Sequence, residues 1–123
     1  MKAGNDHIWT ILFENQPIGS IGIKANQNEG GKDRGFWLSE QFWGRGIMSE
    51  AVSAVNDFTF DVLRIKKITL KNFIDNVGSH RVKEKTGATL LHSEKQKWRG
   101  KYREMEIWEL TAENWRKFKE ENS

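Results

Sequence analysis

The chain changes its hydrophobic period sharply across Gln41-Phe42-Trp43-Gly44-Arg45-Gly46. Upstream, Arg34 to Ser39 reads as an extended segment. Downstream, Ile47, Ala51, Ala54, Val55 and Phe58 recur at helical spacing, with Glu50, Ser53 and Asp57 lying away from them. Lys67 to Phe73 then returns to period two, setting Ile68 and Leu70 against Lys67, Thr69 and Lys71. A strand, a glycine-bearing loop, a helix and a second strand make a crossover, and crossovers join parallel neighbours in a sheet. Such a sheet places a ligand where neighbouring strands end.

The flanking segments fit around that unit. His7 to Phe13 and Ile18 to Ile23 read as two strands joined by a tight turn, and the polar, glycine-bearing stretch Ala25 to Asp33 as a mobile loop. Asn76 to Thr86 reads as a shorter helix ended by Gly87, the residue best suited to a left-handed helix terminus. Ala88 to Trp98 and Tyr102 to Leu110 flank Arg99-Gly100-Lys101 as a hairpin, with Met105 and Ile107 inward, Trp108 opposite, and Trp98 and Tyr102 as a cross-strand aromatic pair. Thr111 is placed to cap a terminal helix carrying Trp115 and Phe118. The fold class expected is α/β (α+β), a mixed central sheet flanked by helices.

With 123 residues, one domain spanning 1–123 is the natural division, and seven Phe with six Trp supply ample apolar area for its core. No cysteine is present, which excludes disulfides, thiolate metal sites and a cysteine nucleophile. His7, His80 and His92 lack the spacing and companions of a metal site, so no metal is expected. The formal charge of +3 is spread over 20 basic and 17 acidic residues. That suits a phosphorylated ligand but forms no clustered nucleic-acid footprint. Without an apolar leader or a membrane-length apolar run, a cytoplasmic location off the membrane is expected.

Gly44 and Gly46 sit where a loop feeds a helix N-terminus, so backbone N–H groups and a partial positive charge can meet an anion. No Gly-Lys-Ser/Thr ending or GxGxxG run is present to indicate a nucleotide loop of another kind. The segment instead resembles the Q/R-x-x-G-x-G/A pyrophosphate loop of GNAT acetyltransferases. Phe36-Trp37-Leu38 looks like their cofactor-binding strand, and Trp43 to Met48 with Glu50-Ala51 is similar to the branch that acetylates N-terminal amines of ribosomal proteins. Asn76-Val77-Gly78-Ser79 through Glu84-Lys85-Thr86-Gly87 resembles the family's N-x-x-S…E-K-x-G element.

The resemblance implies an N-acetyltransferase that moves the acetyl group of acetyl-CoA directly to a primary amine, such as a protein N-terminus or a small amine. Pantetheine would lie along Phe36, Trp37 and Leu38. Gln41, Trp43, Gly44, Arg45, Gly46, Ile47 and Met48 would hold the pyrophosphate, with Asn76 and Ser79 on the pantetheine arm. Asn76 also reads as an ordinary helix cap, which is compatible. Many family members carry a tyrosine acid where this chain has Lys83; the ribosomal-protein branch has instead a serine at the position matching Ser79, and that likeness implies Ser79 as a hydrogen-bond donor to the leaving sulfur, the alternative being a serine that packs near the cofactor or bonds to backbone. Glu94 is the candidate base, with Gln96 closer to the matching position; Glu40, Asp75 and Glu104 also border the opening and could act through water, and Glu94 also reads as an ordinary exposed carboxylate. Arg81 and Lys83 would either neutralise cofactor phosphate or stand in solvent, as exposed helix charges commonly do. The alternative is a non-catalytic CoA-binding or RNA-binding module on the same fold. The chain also opens at what looks like the family's second strand, lacking the usual first strand and first helices. Ile8, Trp9, Ile11 and Phe13 would then form an exposed edge able to self-associate.

Overall fold

The computed structural model describes residues 6–26 and 31–122. Strands β1 (His7–Phe13), β2 (Gln16–Asn26), β3 (Gly31–Leu38), β4 (Lys67–Phe73), β5 (Thr89–Trp98) and β6 (Lys101–Thr111) form one sheet in the order β1-β2-β3-β4-β6-β5. Helices α1 (Ile47–Asp57), α2 (Val77–Lys85) and α3 (Ala112–Glu121) complete the fold. Every neighbouring pair of strands is antiparallel except β3 and β4, which are parallel as the crossover requires. The mixed sheet with flanking helices is thus the expected class. Among the described residues no helix is long and apolar enough to cross a membrane.

Turn chemistry sets both hairpins. Glu14 and Asn15 have φ of 51° and 67°, and Arg99 and Gly100 have 52° and 82°. Two consecutive left-handed residues match the twist of the strands they join. The second strand starts at Gln16, ahead of the expected Ile18, and continues to Asn26, while β3 starts at Gly31. The loop expected over Ala25 to Asp33 is therefore shortened from both ends, because Asn26 pairs with Gly31 and the ladder satisfies backbone groups whatever the side chains. The remainder of that loop, residues 27–30, lies outside the described residues.

Two apolar clusters flank the β3–β4 boundary. One joins Ile21 and Ile23 to Met48, Val52 and Val55 of α1; the other joins Phe60, Ile68, Leu70, Trp108, Leu110 and Trp115. The buried face of α1 is therefore rotated from the one expected: Met48, Val52, Val55 and Asn56 point inward, and Ala54 is exposed. Val55 and Ala51 pack inward as expected, and Met48 and Val52 join them because that side of the helix meets β2 and β3. Trp108 likewise corrects the expected β6 pattern. It is buried on the face shared with Leu70 and Leu110, while Ile107 is buried on the opposite face. On β1, Trp9 and Ile11 are half-buried against the first cluster, Trp9 packing edge-to-face on Phe58. The exposed large apolar side chains of that edge strand are Ile8, Leu12 and, as expected, Phe13, whose ring also meets Phe42.

A polar seam docks α2 onto β4 and β6. Asn72 donates to Glu106 at 2.9 Å and accepts from the Trp108 indole at 2.9 Å, and the His80 Nδ1 lies 2.7 Å from Glu106 Oε1. The His80 ring meets Trp108 edge-to-face at 5.0 Å. Hydrogen bonding to Glu106 raises the His80 pKa above 6.5 despite opposing desolvation. Burial pushes the Glu106 carboxyl up, but hydrogen bonds from Asn72 and His80 outweigh it and hold the group below 4.5. The helix ends at Gly87, with φ of 89°, where an added Cβ would lie 2.8 Å from Phe118 Cγ of α3.

Gly87→Ala should therefore lower stability by about 2 kcal/mol, from left-handed strain and the overlap with Phe118, read as a fall in thermal midpoint. An unchanged midpoint would contradict the close α2–α3 packing. Glu106→Gln should return the His80 titration, followed by NMR, toward its ordinary value. Because His80 is raised, its share of the pair's stability is complete below about pH 6.5 and disappears as pH rises through the raised value. Because Glu106 is lowered, its share disappears as pH falls through the lowered carboxylate value. The wild-type advantage over Glu106→Gln should thus be greatest between those limits.

Candidate active site

β3 and β4 pair at only two positions, Lys32 with Ile68 and Asp33 with Thr69. From Arg34 and Leu70 onward the two strands share no ladder, so the sheet opens into a V whose β3 edge faces no strand. Side chains alternate along β3: Phe36 and Leu38 pack toward α1, while Trp37 is exposed.

Beyond β3 a single turn of 3-10 helix (Glu40–Phe42) leads to the glycine loop. Gly44 and Gly46 both have φ of 77°, and nothing lies within 4 Å of where their Cβ atoms would be. The open space leaves room for a ligand against the backbone. Gly46 starts α1 in left-handed conformation, its carbonyl accepting from Glu50 at 3.0 Å, while the first amides of α1 have no partner within the helix. The Trp43 indole donates to the Leu38 carbonyl at 2.7 Å and ties the loop to the end of β3.

This loop, the β3 edge and the first turns of α2 enclose a cleft of about 460 Å³. Its lining includes the expected Phe36, Trp37, Leu38, Trp43, Gly44, Gly46, Ile47, Met48, Asn76 and Ser79. Gln41 and Arg45 are not part of it. Gln41 is exposed on the 3-10 turn, and the Arg45 guanidinium sits 5.3 Å from the Phe42 ring centroid. The cations that do line this cleft are Arg81 and Lys85 of α2.

A second cleft of about 340 Å³ opens between β3, β4 and the β5–β6 hairpin. It shares Phe36, Asn76 and Ser79 with the first, so the two clefts meet at those side chains. Gln96, Lys97 and Trp98 form its hairpin side. Trp98 packs edge-to-face on Phe73 with centroids 5.5 Å apart, and its cross-strand partner is Lys101 rather than the expected Tyr102. The cleft's lining holds four cationic residues, Arg34, Lys71, Lys83 and Lys97, and among the described residues no carboxylate.

Asn76 caps α2 by accepting from the Ser79 amide at 3.1 Å, which leaves its Nδ2 unengaged by the cap. The same bond positions Ser79 in the first turn, where its Oγ accepts from Lys83 Nζ at 2.7 Å. Lys83 is 2% exposed, with its ammonium 5.4 Å from the Phe36 ring centroid. Burial, reinforced by Arg34 and only partly offset by Glu106, pushes the lysine down to about 7. Arg34 is also buried; its Nη1 donates to Asn56 at 2.6 Å while Nε and Nη2 have no partner. Desolvation lowers its pKa to about 9, leaving it cationic at neutral pH. Sequence reasoning did not anticipate this buried chamber, because an α2 written Arg81-Val82-Lys83-Glu84-Lys85 looks like solvated charge.

Glu94 lies on exposed β5, outside both linings. It accepts from Gln96 at 2.8 Å and lies 2.8 Å from His92, and those hydrogen bonds hold its carboxyl below 4.5. Gln96, not Glu94, is the residue that enters the cleft. Among the described residues no cluster of three metal-ligating side chains occurs.

The fold has counterparts in known proteins. Residues 1–89 match the model of the acetyltransferase (GNAT) domain. A Bacillus subtilis (strain 168) protein named "Probable N-acetyltransferase YjcK" is 42% identical over 53 residues, which are 43% of this chain and 29% of that protein. A solved acetyltransferase candidate from T. thermophilus superposes with TM-score 0.80 at 25% identity, over 98% of this chain and 65% of its own. A spermidine N-acetyltransferase SpeG mutant from Vibrio cholerae, 14% identical, shares the fold with TM-score 0.79 over 92% of this chain and 69% of its own. The chain thus spans a minor part of the Bacillus relative in their match and just under two thirds of the T. thermophilus protein. Matched over residues 1–89 by the family model, this chain belongs to the GNAT acetyltransferase domain family.

Proposed function

We propose that the chain holds acetyl-CoA in the larger cleft and directs its acetyl group onto a primary amine entering by the smaller one. The meeting of the two clefts at Phe36, Asn76 and Ser79 carries this reading, since direct transfer needs donor and acceptor aligned at one point. Acetyl-CoA supplies an activated thioester there. The residues present fit the cofactor: glycines without Cβ obstruction, the start of α1, and Arg81 and Lys85 for phosphate charge. The unladdered β3 edge at Phe36 to Leu38 offers backbone partners to the pantetheine amides, and Asn76 Nδ2 offers another. Ser79 is positioned to donate to the leaving sulfur. Glu94 acts by holding Gln96 against the acceptor, with the amine losing its proton to water.

The acceptor we favour is a protein N-terminus with few positive charges, as the likeness to the ribosomal-protein branch suggests. Arg34, Lys71, Lys97 and, when protonated, Lys83 around the smaller cleft repel a polycation, which argues against a polyamine despite the fold shared with a spermidine acetyltransferase. A salt-sensitive affinity for RNA unchanged by acetyl-CoA would instead favour a nucleic-acid-binding module.

Gly46→Asp should weaken acetyl-CoA binding by at least about tenfold in calorimetry, because a carboxylate at the loop opposes the phosphates. Unchanged affinity in a folded variant would remove the loop from the cofactor site. With labelled acetyl-CoA and mass spectrometry, neutral N-terminal peptides should be acetylated with kcat/KM about tenfold or more above that of spermidine. Spermidine as the best acceptor would overturn the charge argument.

A further inference from the structure

Lys83 is a buried amine whose hydrogen-bond partner among the described residues is Ser79, and that partner stands where the two clefts meet. An ammonium can only donate, so when Lys83 is protonated its bond at 2.7 Å makes Ser79 Oγ an acceptor and frees the serine's own hydrogen for a third group. The open side of Ser79 is the cleft junction. When Lys83 is neutral its lone pair can instead accept the serine hydrogen, and Ser79 has none to give. The state of Lys83 therefore sets the direction of the serine hydroxyl.

Resting on the acetyltransferase reading, we propose that Lys83 is the proton reservoir for the departing sulfur and acts through Ser79. In the transfer, the acceptor nitrogen's lone pair forms the N–C bond and the C–S pair leaves on sulfur. Ser79 gives its hydrogen to that sulfur and takes a proton from Lys83 Nζ. The new amide nitrogen sheds its extra proton to water, and Lys83 regains one from water, so charges and protons balance. Proton transfer within such a relay is expected to contribute about 100-fold or more to the rate.

The surroundings suit the task. A serine alone is too weak an acid to protonate a thiolate, but backed by an ammonium it passes on a proton of much lower pKa. Burial and the neighbouring Arg34 push Lys83 down to about 7, so the group holds its proton below that pH and releases it readily near neutrality. The charged groups facing it are Arg34 from β3 and Glu106 from β6; Glu106 is itself bonded to His80 of α2. Lys71 of β4 and Lys97 of β5 line the same cleft. Glu106 is held by Asn72 and His80, which leaves Lys83 free to bond Ser79.

The test titrates the thiol of CoA bound to the full chain by thiolate absorbance, in wild type, Lys83→Met and Ser79→Ala. If the relay exists, the two groups titrate as a coupled pair and the bound thiol ionises at a pH about one unit lower in wild type than in Lys83→Met, because the Lys83 ammonium stabilises the thiolate through Ser79, and Ser79→Ala loses most of that shift. Lys83→Met keeps the stem and removes a buried charge, so it should fold; Lys83→Gln serves should it not. A parallel NMR titration of Lys83 in the free wild-type protein should show ionisation near neutrality. With an acceptor, Lys83→Met should lower kcat about 100-fold with KM little changed. Identical thiol titrations in wild type and variant, or a Lys83 that ionises near its ordinary value, would overturn the relay while leaving the acetyltransferase reading intact. Failure of the wild type to bind CoA at all would overturn both.

Discussion

Two rungs of parallel ladder, Lys32 with Ile68 and Asp33 with Thr69, join the two antiparallel halves of this molecule. Had the pairing continued along β3 and β4, the backbone groups between would be satisfied by each other and the sheet would be closed. Their separation from Arg34 and Leu70 onward leaves an edge whose amides and carbonyls need another partner. In the proposed function that partner is a ligand lying in the opening. The glycine loop and the start of α2 then follow as the two places where the chain leaves the parted strands.

Parting the strands also opens a cleft between them, and the chain places cations along its wall. Arg34 and Lys83 are both buried, with Glu106 the nearby carboxylate. Moving Lys83 from its ordinary value to about 7 corresponds to a cost on the order of 4 kcal/mol to keep it charged. An apolar side chain of the same length would avoid that cost. The Ser79 contact and the polar seam of Asn72, Glu106 and His80 offset part of it and hold α2 against the sheet. A group retained against such a gradient in a cleft is a candidate for chemistry rather than for stability.

What was legible in the sequence is what depends on local chemistry. The element order, both hairpin turns, the Asn76 and Thr111 caps and the left-handed Gly87 each follow from residues acting on their own backbone. The glycine loop was legible because left-handed backbone favours glycine, and Gly44 and Gly46 both take φ of 77°. Tertiary choices were not. Either face of α1 offered comparable apolar residues, and only the packed sheet selects Met48, Val52 and Val55 over Ile47 and Ala54. Lys83 stands among charges on a short helix with Arg81, Glu84 and Lys85 exposed, and nothing local marks the one that turns inward. Its burial is a consequence of where α2 lands on the opening.

The opening is held from beneath by one continuous helical segment. α1 contributes Met48, Val52 and Val55 to the cluster under β2 and β3; the wider turn that follows it, Phe58–Val62, contributes Phe60 to the cluster under β4 and β6. The change of pitch is what lets a single run of helix serve both, since it rotates Phe60 away from the line of Val52 and Val55. Thr59 stabilises the transition by donating to the Val55 carbonyl at 2.7 Å, and Ile65, donating to the Thr59 carbonyl at 3.2 Å, packs against both clusters. Asp57, at the junction, accepts from Trp115 and Lys119 of α3 and so fastens the segment from the far side. The two halves of the sheet are thereby fixed to a common support while their strands stay parted. The geometry a ligand requires is thus set by the core before any ligand arrives, which is the condition under which backbone donors and a buried ammonium can act without reorganising first.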